Sequence, residues 1–169
     1  MGTLVGRLAA AEIGRTFNQY TDSGLRRSRL AAYLERLADA PILLVGEAAG
    51  YRGARISGLP FTSERQVTGE GPAEATATIV HRVLAELGLE DDALLWNVVP
   101  THPGTARSNR RPSPAEVEAS LPFLEEITRG RRIVAVGRLA ATVTGAPYVR
   151  HPSHGGATRF CEMLHACLR

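Results

Sequence analysis

Three polar residues of the kinds used in hydrolytic chemistry, Glu47, Asn97 and His151, each come at or near the end of a short apolar run. If these runs are parallel strands, their carboxyl ends meet at one edge of a sheet, and the three side chains could share one crevice there. A carboxylate, an amide and an imidazole in one crevice suit the recognition and release of a heterocyclic base.

The elements that must position these residues alternate between strands and helices. Apolar runs predict four strands, at residues 41–45, 93–99, 132–136 and 148–150. Apolar stripes at helical spacing predict helices at residues 72–88, 113–130, 138–144 and 157–168. This alternation predicts an α/β fold, a three-layer α/β/α sandwich around a central four-stranded, mostly parallel sheet.

Two further stretches lie outside this alternation. The first 40 residues carry leucines on one face and predict helix. Residues 46–72 form a long connection rich in glycine and arginine, and loops of that length are usually functional. With 169 residues in all, we expect a single domain spanning residues 1–169.

Composition indicates in which compartment we expect the protein and whether we expect it to contact a membrane. The hydrophobic content is 44%, and no apolar run approaches the ~20 residues that span a bilayer, so we expect no membrane contact. We see no secretion signal, and two cysteines, Cys161 and Cys167, are too few for a disulfide framework. We therefore expect a cytoplasmic protein, with the monomer as the default state.

All 20 basic residues are arginine, and the net charge is +3. A coding bias is the simplest origin of the missing lysine, but the consequence is chemical. A Walker-type phosphate loop needs its lysine, and a lysine side chain is needed for Schiff-base catalysis, so both are excluded. The mildly basic charge fits a polyanionic partner.

Four short motifs, taken in order, resemble the uracil-DNA glycosylase superfamily. Residues 46–50, Gly-Glu-Ala-Ala-Gly, are similar to the first signature, which reads Gly-Glu-x-Pro-Gly in the iron–sulfur branches. Residues 58–61 are similar to the Gly-x-Pro-Phe element that follows it. Residues 97–99 with 109–112 resemble the middle element, and residues 151–153, His-Pro-Ser, match the last signature. The resemblance covers about residues 40–160.

The chain also departs from this pattern. It lacks the four cysteine ligands of the iron–sulfur branches, so no cluster and no other cofactor is expected. Ala49 replaces the proline of the first signature, and Ala48 stands where the best-known branch carries a catalytic aspartate. Ser63 replaces a glycine after the Pro-Phe element. The resemblance is therefore to a cluster-free branch.

The resemblance implies a catalytic role for Glu47 and His151. Glu47 would orient or deprotonate a water, and its anion would favour the positively charged sugar. His151 would donate a hydrogen bond to the uracil O2 as charge develops there. Alternatively, Glu47 bonds the amides of its own loop, and His151 is a loop histidine satisfied by backbone.

The implied substrate pocket contains Gly46, Ala48, Tyr51, Phe61 and Asn97. Asn97 can pair with uracil O4 and N3–H, a pattern that cytosine reverses, although it could instead tie two loops together. Phe61 would stack on the extruded base, unless it belongs to the core. Tyr51 comes one residue after the position at which the best-known branch has a thymine-excluding tyrosine.

We predict DNA contacts from polar residues in the loops around this pocket. The set is Arg52, Arg55, Ser63, Arg110, Arg111, Ser153 and His154, of which His154 is the nearest bulky group for a wedge. No spacing of His102, His151 and His154 supports a metal site.

These features together predict a monofunctional DNA glycosylase of base excision repair. It would extrude uracil, before other deaminated bases, from single- or double-stranded DNA and release free uracil by water attack. The alternative is a module of the same fold that binds uracil-containing or abasic DNA with little or no turnover.

Overall fold

A parallel sheet forms the centre of the protein in the computed structural model, which describes residues 2–168. Its four strands are β1 (Ile42–Ala48), β2 (Ala93–Val99), β5 (Arg132–Val136) and β6 (Tyr148–Val149), in the order β2-β1-β5-β6. Every neighbouring pair is parallel. Two further short strands, β3 (Gly104–Thr105) and β4 (Ser108–Asn109), form a separate antiparallel hairpin after β2.

Both faces of the sheet are covered, so the predicted α/β sandwich is confirmed. Alternate residues of β1 face opposite sides, with Leu43 and Val45 in one apolar cluster and Leu44 in the other. This is the two-sided burial expected of an all-parallel sheet. The helices are α1 (Leu4–Ala10), α2 (Gly24–Arg36), α3 (Ala54–Ser57), α4 (Glu64–Thr68), α5 (Ala75–Glu86), α6 (Pro114–Thr128), α7 (Arg138–Thr144) and α8 (Ala157–Leu168).

The amino-terminal 40 residues are less helical than predicted. Between α1 and α2 the chain is irregular, and Asn18 stabilises it by donating hydrogen bonds to the carbonyl oxygens of Leu8 and Ala11 and accepting one from the backbone N–H of Tyr20. The long connection at 46–72 contains the short helices α3 and α4, and the next helix, α5, begins at Ala75 rather than Pro72.

The later elements follow the sequence pattern closely. Ser113 and Glu116 form the predicted capping box at the start of α6, and Pro114 occupies the first helical turn. Within residues 2–168, no helix is long and apolar enough to cross a membrane.

Candidate active site

The carboxyl ends of β1, β2 and β6 bring three of the predicted residues to one edge of the sheet. Glu47 lies near the end of β1, and Asn97 on β2 is the register partner of Gly46. His151 follows β6. All three line a small cavity of about 60 Å³, here called the inner pocket, together with the ring of Phe61. Its lining is Glu47, Ala48, Gly50, Ala54, Phe61, Glu74, Thr76, Asn97 and His151.

A second cavity of about 380 Å³, here called the outer pocket, adjoins the inner one. Six residues line both cavities: Glu47, Ala48, Gly50, Glu74, Thr76 and His151. The outer pocket adds residues from the β3–β4 hairpin region and from the loop after β6, namely Pro103, Asn109, Arg110, Ser153 and His154. A ligand could therefore reach from the inner pocket to the surface without leaving these walls.

The Asn97 carboxamide is nearly buried but has no protein partner. The residue is only 4% exposed, and its side chain makes no hydrogen bond within residues 2–168. Buried polar groups are almost always paired, so an unpaired amide at a cavity wall marks a place where a ligand completes the hydrogen bonds. The alternative role, in which Asn97 ties two loops together, is not what this geometry provides.

Phe61 closes the inner pocket against the backbone of Gly46. A Cβ on Gly46 would overlap the Phe61 ring and lie 2.9 Å from Oδ1 of Asn97, so only glycine leaves room for both side chains. Phe61 is buried, and its backbone is left-handed with φ of 50°. A bulky residue in that region costs about 1–3 kcal/mol, a strain that is typical of functional sites.

Hydrogen bonds around His151 define its tautomer. The backbone N–H of Ser153 donates to Nδ1 at 3.2 Å, and the Ser153 hydroxyl lies 2.8 Å from the same atom. Since Nδ1 accepts, the proton of the neutral ring is on Nε2. Burial lowers the pKa of His151, and the neighbouring His154 lowers it further. His151 is therefore a neutral imidazole near pH 7 that offers an N–H donor.

Two carboxyl groups, from Glu47 and Glu74, line both cavities. No hydrogen bond from residues 2–168 reaches the carboxylate of either one, so Glu47 does not bond the amides of its own loop. Burial raises the pKa of Glu74, while the positive charge of Arg52 acts in the opposite direction. Sequence reasoning missed Glu74 because it belongs to none of the motifs.

Six of the seven predicted DNA contacts divide into three groups. Arg110, Ser153 and His154 line the outer pocket. Arg52 and Arg111 are exposed outside it. Ser63 is fully buried, and its hydroxyl lies 3.0 Å from Oε1 of Gln66 in the capping box of α4, so we withdraw it as a phosphate contact. That Ser-x-x-Gln spacing was visible in the sequence.

Two predicted residues hold neighbouring segments instead of lining either cavity. The backbone N–H of Tyr51 donates to Oδ1 of Asn109 at 2.9 Å and so joins the β1 loop to the hairpin. The guanidinium of Arg55 lies 5.0 Å from the centre of the exposed Phe17 ring. The Tyr51 side chain is not among the groups that line the pockets.

A paired polar framework surrounds the cavities. Arg110 donates two hydrogen bonds, of 2.8 and 2.6 Å, to the carboxylate of the buried Glu116, and this lowers the pKa of Glu116 to about 2. The ring of His102 is fully buried, and its two nitrogens lie 2.8 Å from the Ala49 carbonyl oxygen and 2.7 Å from that of Thr105.

Among the described residues, no three histidine, cysteine, aspartate or glutamate side chains are grouped so that they could hold a metal ion. His102 in particular is committed to backbone carbonyl groups.

Comparison with known proteins agrees with the observed fold. The chain matches the family model of the uracil DNA glycosylase superfamily over residues 34–166. Among solved structures, the crystal structure of wild-type SMUG2 from Pedobacter heparinus is similar, with a TM-score of 0.68 and 13% sequence identity over 99% of this chain and 97% of that chain. At that identity the likeness is one of fold. No curated protein matches the chain.

Proposed function

The chain belongs to the uracil DNA glycosylase superfamily, a family of DNA glycosylases, and we propose that this member hydrolyses the N-glycosidic bond of uracil in DNA. The substrate is a strand whose uracil has been extruded from the stack, and the products are free uracil and an abasic site. The enzyme acts as a monomer without a cofactor and has no lyase step, because the chain has no lysine side chain for a Schiff base.

Phe61 and Asn97 bind the base in the inner pocket. The ring of Phe61 stacks on the extruded uracil, which typically contributes about 1–3 kcal/mol. The carboxamide of Asn97 accepts a hydrogen bond from N3–H and donates one to O4, so cytosine would present the wrong partner at both positions.

His151 and Glu47 act on the reacting atoms. The C1′–N1 bond breaks with its electron pair on the base, and the Nε2–H of His151 donates to O2, where the charge accumulates. Water attacks C1′ while Glu47 takes its proton, and that proton is finally returned through solvent to the released base.

The single observation that carries this proposal is the unpaired amide of Asn97 in a pocket shared with Glu47, Phe61 and His151. A structural asparagine that is 4% exposed would have protein partners, as Asn18 does. An amide at a cavity wall with no partner among residues 2–168 is free to bond a ligand there.

Release of uracil from a labelled oligonucleotide with a single deoxyuridine tests the proposal. The substitutions Glu47→Ala and His151→Ala should each slow single-turnover release at least about tenfold while hardly changing the melting temperature. Glu12→Ala, which removes an exposed carboxylate outside the pockets, is the matched control and should leave the rate unchanged. If the wild-type protein retains this DNA but never releases the base, the binding-module alternative replaces our proposal.

A further inference from the structure

The side chain of Glu74 has an unusual position for a residue that precedes a helix. It is the N-cap of α5, yet its side chain makes no capping hydrogen bond. The carboxylate instead lies against the loop that follows β1, at the wall of both pockets. An uncapped helix start typically costs about 1 kcal/mol, so this placement gives up stability.

The loop is shaped around this carboxylate. A Cβ on Gly50 would overlap Oε1 of Glu74, and a Cβ on Gly53 would overlap Oε2. Two residues without side chains therefore let the backbone approach the carboxylate closely. The Glu74 carboxylate therefore lies directly against the backbone of this loop, although no described group donates a hydrogen bond to it.

The carboxylate is also costly in its charged form. The side chain is half-buried and has no ion-pair partner within 4.0 Å among residues 2–168. Burial disfavours the charged carboxylate and so raises the pKa of Glu74, and the positive charge of Arg52 offsets this rise only in part. A half-buried carboxylate that neither caps its helix nor pairs with a cation is the kind that proteins keep for function rather than for folding.

The two pockets indicate which part of a nucleotide would lie beside Glu74. The base belongs in the inner pocket with Phe61 and Asn97, and the phosphates belong at the outer rim with Arg110 and Ser153. The deoxyribose that joins them must then lie at the boundary. Both Glu47 and Glu74 line that boundary, since each borders both cavities.

We propose that the Glu74 carboxylate contacts the extruded nucleotide and, with Glu47, stabilises the positive charge that develops on the deoxyribose. This inference rests on the proposed glycosylase function and assigns Glu74 an electrostatic part in it. Glu74 forms no bond and transfers no proton. The electron pair of the C1′–N1 bond still leaves with the base, and the proton of water still goes to Glu47.

The charge of Glu74 makes this contribution dependent on pH. As pH rises through the raised pKa, the group loses its proton and the anion becomes available to the sugar. Other titratable and charged groups face it from the neighbouring elements: Glu47 on β1, Arg52 after β1, Arg110 after the hairpin, and His151 and His154 after β6. These groups are present in both the wild type and a Glu74 variant. The ratio of the wild-type rate to the variant rate therefore reports the contribution of Glu74 alone.

The test uses Glu74→Gln, which keeps the shape and removes the charge. Glu70→Gln is the matched control because Glu70 is exposed on the same connection and borders neither pocket. Three quantities are measured from about pH 5 to about pH 9. They are the single-turnover rate of uracil release, the affinity for the same oligonucleotide with a non-hydrolysable deoxyuridine, and the melting temperature.

We expect Glu74→Gln to slow the reaction at least about tenfold at about pH 8, and the difference from the wild-type rate to shrink as pH falls and the wild-type carboxyl takes up a proton. DNA affinity should stay equal or increase, because a negative charge near phosphates is removed. The melting temperature at the higher pH should stay equal or rise, because the raised pKa means that ionised Glu74 destabilises the fold. Glu70→Gln should match the wild-type rate throughout.

Two results would overturn the inference while the proposed function stands. One is a wild-type rate for Glu74→Gln at every pH, which would leave Glu74 no part in the reaction. The other is a rate loss that is constant with pH and accompanied by a lower melting temperature, which would indicate a packing role against Gly50 and Gly53. If the wild type releases other deaminated bases but not uracil, the uracil assignment fails and the same comparison is made on the base released. A wild type that releases no base ends both proposals.

Discussion

Replacing Asn97 with leucine should separate what the pocket requires for folding from what it requires for catalysis. Leucine has nearly the same shape, and the amide it replaces is 4% exposed with no hydrogen bond among the described residues. Burying an unpaired amide costs about 1–3 kcal/mol, and the low end applies here because the amide atoms of Asn97 keep contact with the cavity solvent. We therefore expect the free energy of unfolding to rise by about 1 kcal/mol, which is about 2–4 °C in melting temperature for a chain of this size.

The same substitution should reduce activity. It removes one donor and one acceptor that would pair with uracil, each worth about 1 kcal/mol. The loss of about 2 kcal/mol in transition-state stabilisation corresponds to roughly a 30-fold fall in kcat/KM. Uracil release from a labelled oligonucleotide gives the activity, and thermal unfolding of the same preparation gives the stability.

Asn18 provides the matched control because its amide is fully used inside the protein. It donates at 2.8 Å to the Leu8 carbonyl and at 3.0 Å to that of Ala11, and it accepts the Tyr20 N–H at 3.0 Å. Asn18→Leu should therefore lower the free energy of unfolding by about 2 kcal/mol and leave kcat/KM near that of the wild type.

Opposite signs for stability and activity at Asn97 are the essential result. If Asn97→Leu unfolds more easily than the wild type, the amide has a structural partner and the assignment to the base fails. If Asn97→Leu keeps full activity, the inner pocket does not bind the base through this residue. Either outcome would contradict the reasoning from unpaired polar groups.

Three further predictions concern the framework and the surface. Gly46→Ala should lower uracil release at least about tenfold because its Cβ would overlap the Phe61 ring, whereas Gly24→Ala, with no atom closer than 3.9 Å, should have wild-type activity in the same assay. Glu116→Gln should lower the free energy of unfolding near pH 7 by about 3 kcal/mol, as measured by denaturant titration. The difference should disappear as pH falls toward about 2, because Glu116 stabilises the fold only while its carboxylate is charged. Arg52→Ala should reduce the slope of log affinity against log salt by about 1 in binding titrations, and an unchanged slope would exclude a phosphate contact there.

Where local signals were strong, the sequence sufficed to predict the element. The strands Ala93–Val99 and Arg132–Val136 lie at the predicted residues because each is a predominantly apolar run, and both belong to a sheet covered on its two faces, β5 inside it and β2 at its edge. The Ser113 capping box likewise fixes the start of α6 through side chain and backbone atoms only three residues apart.

Where the outcome depended on distant contacts, the prediction was wrong. Residues 11–23 lie between two helices, and the backbone hydrogen bonds of Phe17 with His102 and the side-chain bonds of Asn18 hold them in an irregular path. Helix α5 likewise begins at Ala75 and not at the predicted Pro72. Glu74 is its N-cap, and the Glu74 carboxylate lies against the loop after β1.

The site residues also divide into those that the sequence could place and those that it could not. Glu47, Asn97 and His151 could be placed together from the sequence because the ends of parallel strands share one edge. Glu74 could not be placed, since its position depends on how residues 49–73 fold back across that edge, and no motif marks it. Whether these residues perform the assigned chemistry remains a prediction for the assays above.

The contrast between the framework and the pocket explains why a small chain can hold an open site. Around the pocket, polar groups are paired with one another, as Arg110 is with Glu116 and as His102 is with two carbonyl groups. These pairs fix the loops before any ligand binds, so little ordering cost is left for the binding step. Inside the pocket, the amide of Asn97 and the carboxylate of Glu74 have no partner among residues 2–168, and the partial burial of Glu74 disfavours its charged form. Substitutions in the framework should therefore reduce stability first, and substitutions inside the pocket should reduce activity first.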